Sequence, residues 1–146
     1  MVLAARLIST VGPDWWSSEI SHGRNFSDPS RIPSMLQSDR NAVGHIGDAC
    51  RRITSFVGAV PASDFHVDHW CLSAVAYQLI IIGEATKSLS RAFRDDHHGI
   101  DWRGMAGMRD VLAHDFQDLN IAMIWRTATH HVPALAATVT RMLDPA

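Results

Sequence analysis

The chain has 146 residues, 47% of them apolar and 19% charged, and a formal charge of −2. That length and balance describe one folded domain with its own core and exclude a disordered chain. The near-neutral charge excludes a generally basic nucleic-acid binder, so any contact with RNA would depend on a local patch.

Residues 1–30 stand apart. "GPDWWSSEISHGRNFSDPS" mixes Gly, Pro, Ser and Trp without a period and reads as an irregular extension. The helical domain is expected over 31–146. The opening "MVLAARLISTVG" has a short apolar run broken by Arg6, so no secretion signal is read. No stretch approaches the roughly 20 apolar residues of a membrane span, and the expected location is the cytoplasm. Cys50 and Cys71 sit in apolar helical patterns and read as buried thiols of a reducing compartment.

Four helices follow, and no segment alternates as a strand would. The first is expected from Pro33 or Ser34, with Leu36, Val43, Ile46, Cys50, Ile53 and Val57 on one face. The second is expected after Ser63 or Asp64 and is closed by "RDDHHG". Its buried face is Leu72, Val75, Ala76, Leu79, Ile82 and Gly83, the glycine marking a close approach by another helix. The third starts at the N-cap Asp101 and carries Trp102, Met105, Met108 and Leu112 inward. The fourth starts at the N-cap Asn120. Its seam is Ile121, Trp125, Ala128, Val132, Leu135, Val139 and Met142, interrupted by Pro133. The fold class is therefore all-α, a helical bundle.

The third helix contains "GMRDVLAHDF", with Arg109 and His114 five positions apart. Spacing alone does not single the pair out. With 12 Arg and 9 His in the chain, chance gives roughly 0.7 Arg-x4-His pairs. Three occur: Arg40/His45, Arg109/His114 and Arg126/His131. On an ideal helix five residues leave the side chains about 140° apart. Asp110 and His114, four apart, share a face, so Asp110 is placed to orient the imidazole or raise its pKa.

The order "IIGEATKSLS", polar linker, "DWRGMAGMRDVLAHDF", "LNIAMIW" and a final amphipathic helix resembles the HepT-like family, HEPN-superfamily toxins of prokaryotic toxin–antitoxin pairs. The likeness runs from Ser34 to Leu143. It implies a four- to five-helix up-and-down bundle of HEPN type, paired as a homodimer. It implies an endoribonuclease that needs neither metal nor cofactor, with two copies of an R-x4–6-H motif meeting in a cleft. Carried onto this chain, Arg109 and His114 are the catalytic pair. Asp110 fills the polar position after the arginine. RNA, transfer or messenger, is the implied substrate, and a minimal nucleotidyltransferase antitoxin the implied partner. The other two Arg-x4-His pairs have no counterpart in the family pattern. The chemistry suits these side chains: an imidazole titrates near neutral pH and can move protons, and a guanidinium fork matches the oxygens of a phosphorane.

Two departures matter. Where the family motif continues to a tyrosine that receives AMP, this chain has Phe116, with no hydroxyl; its one tyrosine, Tyr77, lies in the second helix. Six aspartates (95, 96, 101, 110, 115, 118) against Arg103 and Arg109 also surround the motif with negative charge, which Arg91 and Arg94 are placed to offset. These features keep a second reading in view: a catalytically weak helical partner of a nucleotidyltransferase. Glu84, on an apolar helix, is read first as a buried, hydrogen-bonded structural acid and second as a group beside the motif. The histidine pairs 66/69, 97/98 and 130/131 supply no third ligand, so no metal site is expected.

Overall fold

The computed structural model describes residues 35–115 and 118–144, and all its regular elements are helices. They are α1 (Gln37–Gly58), α2 (His69–Ser88), α3 (Arg91–Asp96), α4 (Trp102–His114), α5 (Ile121–Arg126) and α6 (Val132–Leu143). A π-helical turn, Thr127–His131, joins α5 to α6 without a break. The extension at 1–30, the expected start at Pro33 or Ser34, and Phe116 lie outside the described residues.

α1 packs on α2 and α6, and α2 packs on α4. The core between them holds Val43, Ile46, Cys50 and Ile53 of α1 and Val75, Leu79 and Ile82 of α2. Met105 and Leu112 of α4 and Val132, Leu135 and Val139 of α6 complete it. These positions recur at three and four residues, so each helix buries one stripe. Leu36 is the exception to the expected α1 face. It precedes the first helical turn and is exposed. Gly47 brings α1 close to α6, since a Cβ there would lie 3.2 Å from Val139 Cγ1.

The second expected helix is corrected at both ends. It starts after Asp68, whose carboxylate accepts from Cys71 N at 2.9 Å, and not after Ser63 or Asp64. Before it, turns bonded to the Asp64 carbonyl carry Phe65 into the core, 4.9 Å from the ring of Trp125. It ends at Ser88. Ser90 then caps the separate short α3, its hydroxyl accepting from Phe93 N at 3.1 Å. Asp39 of α1 fixes that break. Its buried carboxylate accepts from Ser90 N at 2.7 Å and from Ser90 Oγ at 2.8 Å.

The fourth expected helix starts at Asn120 as read, with the Asn120 side chain accepting from Met123 N at 3.0 Å. Its irregularity is the π turn before Pro133, which enters α6 in the first turn, where its missing N–H is tolerated. Arg40 caps the far end, donating from Nη2 to the Leu143 carbonyl at 3.0 Å.

Candidate active site

α4 is set by its ends. Asp101 caps it, accepting from Gly104 N at 2.8 Å. The Trp102 indole donates to the His97 carbonyl at 3.0 Å, and Phe93 stacks on His97 with ring centroids 4.2 Å apart. Trp102, Met105, Met108 and Leu112 are buried, as their spacing predicts. Arg109 follows Met108 at the edge of that stripe and rises over α2.

Gly83 of α2 makes room for it. A Cβ at Gly83 would lie 2.2 Å from Arg109 Cβ and 2.9 Å from the Met105 carbonyl oxygen. The glycine seen in the sequence as a helix-approach point is one, and the approaching residue is Arg109.

Arg109 is the most enclosed member of a four-residue charge cluster, its side chain 28% exposed. Its Nε pairs with Glu84 Oε1, an ion pair without hydrogen-bond alignment. Its Nη1 donates to Asp110 Oδ1 at 3.1 Å. Lys87 Nζ reaches the same Oδ1 at 2.6 Å. The Lys87 ammonium holds the Asp110 carboxyl below the usual aspartate range; desolvation opposes it, and the Arg109 guanidinium adds to the lowering.

Two expectations are corrected here. Glu84 is not a buried structural acid: its side chain is half-exposed and faces Arg109. No hydrogen bond joins Asp110 to His114 among the described residues; Asp110 Oδ1 instead accepts from Lys87 and Arg109. A full cation from the neighbouring helix outcompetes an imidazole one turn along. His114 is the last residue of α4, exposed, with no hydrogen-bond or ion-pair partner among the described residues. No polar contact joins it to Arg109 within one chain, in line with the rotation of a regular helix.

Lys87 is the site residue that the sequence reading passed over. The signal was present: it is the chain's only lysine and lies three positions after Glu84, on the same side of α2. The acidic surroundings are partly neutralised. Asp101 is used as a cap, Asp110 is paired, and Arg91 is spent on Asp95 at 3.6 Å. Arg40/His45 and Arg126/His131 lie elsewhere. Arg40 is used on α6, and His131 sits across the π turn from Arg126. Burial first, then Arg126 and His130, lower the pKa of His131.

Among the described residues no three His, Cys, Asp or Glu side chains are grouped to hold a metal ion. None of the described helices is long and apolar enough to cross a membrane.

The family model described as "Ribonuclease HepT-like" matches residues 46–142. The protein named "Putative RNase TTE0752" from Caldanaerobacter subterraneus subsp. tengcongensis is 33% identical over 109 residues, 75% of this chain and 97% of its own. "Probable ribonuclease HepT" of Thermococcus cleftensis is 34% identical over 101 residues, 69% of this chain and 92% of its own. No solved structure matches significantly. The chain belongs to the HepT-like ribonuclease family, and its class is that of an RNA endonuclease.

Proposed function

We propose that the chain is a metal-independent endoribonuclease acting as the toxin of a toxin–antitoxin pair. Arg109 and His114 would work at a cleft between two copies, in the cytoplasm, with a minimal nucleotidyltransferase as antitoxin. The observation that carries this reading is the contrast between the two motif residues. Arg109 is held in place by Glu84 and Asp110, while His114 stands exposed and unpartnered among the described residues. One is a fixed cation and the other an accessible proton carrier. Because they diverge along one helix, a second copy is the natural source of the complementary member.

In the proposed reaction the 2′-hydroxyl of RNA attacks the adjacent phosphorus. The O2′–P bond forms and the P–O5′ bond breaks, leaving a cyclic phosphate and a 5′-hydroxyl. One proton leaves O2′ and one reaches O5′, and either transfer suits the imidazole of His114. The Arg109 fork stabilises the charge that grows on the phosphorane oxygens. Asp110 and Glu84 act on the arginine, not on the histidine. With Phe116 at the position of the family's modified tyrosine, control by the antitoxin would run through binding, or through modification at another residue.

One observation favours a second reading, a catalytically weak partner of the nucleotidyltransferase: the Arg109 guanidinium is already engaged by two carboxylates. Expression in a bacterial host separates the two. Growth arrest that is lost with His114→Ala and relieved by co-expressing the nucleotidyltransferase supports the toxin. Unimpaired growth together with a stable complex supports the binding partner.

A further inference from the structure

We propose that Lys87 is a positioning residue of this site: it holds the Asp110 carboxylate so that Arg109 stays available to a phosphate. The inference rests on the ribonuclease reading and concerns how its arginine is kept ready.

Three observations carry it. First, Lys87 Nζ and Arg109 Nη1 both donate to one oxygen, Asp110 Oδ1, and the lysine contact is the shorter, 2.6 Å against 3.1 Å. Second, the Lys87–Asp110 pair joins α2 to α4 across 23 positions of sequence, yet its side chains are 38% and 53% exposed. Pairs that open to water add little to stability, so its consequence is where the carboxylate sits. Third, Glu84, Lys87, Arg109 and Asp110 carry two charges of each sign. Without Lys87 the cluster is net negative where an anionic backbone would bind, and Asp110 turns fully onto Arg109. A phosphate would then compete with Glu84 and with an Asp110 carboxylate no longer shared with Lys87.

Lys87 uses one contact of its three N–H donors, so it could instead touch the phosphate itself. A double substitution separates these roles. If Lys87 acts through Asp110, neutralising Asp110 removes the need for it. If it binds phosphate directly, the double variant is weaker than Asp110→Asn alone.

The test compares Lys87→Met, Lys87→Gln, Lys87→Arg, Asp110→Asn and the Lys87→Met/Asp110→Asn double variant, each checked by thermal melting. The first readout is the Arg109 15Nε resonance of the RNA-free protein. The second is kcat and KM on a single-stranded RNA, with affinity for that RNA measured in a His114→Ala background. We expect Lys87→Met and Lys87→Gln to move the Arg109 resonance and raise KM and the dissociation constant about fivefold, with a smaller fall in kcat. Lys87→Arg should keep most of the wild-type behaviour, and the double variant should match Asp110→Asn alone. An Arg109 resonance indifferent to Lys87→Met, or a double variant weaker than Asp110→Asn alone, overturns the proposal. If the wild type cuts and binds no RNA while the resonance responds to Lys87→Met only when Asp110 is present, the ribonuclease reading falls and the positioning role stands.

Discussion

Arg109 lies over Gly83 so closely that a Cβ on the glycine would be 2.2 Å from the arginine Cβ, with the Met105 carbonyl oxygen at 2.9 Å. The backbone of α4 would have to move for any side chain to fit. Gly83→Ala gains about 1 kcal/mol of helix propensity, and overpacking costs typically 1–3 kcal/mol. The expected outcome is a protein of equal or lower melting temperature with Arg109 displaced. Cleavage should fall more than stability does. A chemical denaturation curve beside an RNA cleavage assay checks both.

Glu84→Gln removes the charge that pairs with Arg109 Nε. The pair is half-exposed, so stability should change by less than about 1 kcal/mol. The site becomes less negative, so RNA should bind at least as tightly. With the guanidinium less fixed, kcat should drop. Steady-state kinetics that show a lower kcat without a higher KM would bear this out.

Asp110 gives an acid-side signature. Its folded pKa is lowered from the ordinary 3.8, first by Lys87 and then by Arg109. A lowered carboxylate pKa contributes stability that is fully present above 3.8 and is lost as pH falls through the folded value. Because Asp110 is 53% exposed, the contribution is small. Asp110→Asn should lower stability slightly near neutrality, converge on the wild type at low pH, and so flatten the acid limb of the stability curve. Urea titrations across the acid range measure this.

Burial pushes the Cys50 thiol up to about 12 against a small opposing effect of Arg51. Cys71 is raised too, by burial and by Asp68. Both are free and buried. Reaction of the native protein with a thiol reagent at pH 8 should be slow at both, and slower at Cys50, until denaturant is added. A mass-spectrometric time course reads this directly.

The bundle and most of its core were legible because the apolar stripes repeat at helical spacing through α1, α2, α4 and the α5–α6 run. The caps at Asp101 and Asn120 were legible because each side chain satisfies a backbone donor two or three residues ahead. The break at Ser88–Ser90 was not, since it depends on Asp39, 51 positions earlier, reaching Ser90. Phe65 was missed because its turns show no period. At the site, Gly83 could be read as a point of close approach, but its partner could not. The exchange of Asp110 from His114 to Lys87 was hidden for the same reason. Spacing along one helix says nothing about a cation on the next.

The most direct measurement is cleavage of total and transfer RNA by the purified protein in EDTA, beside folded Arg109→Ala and His114→Ala variants. A metal-independent Arg109/His114 ribonuclease requires that the wild type cuts and that both substitutions abolish cutting. Cleavage that needs a metal ion, or that survives either substitution, would contradict it.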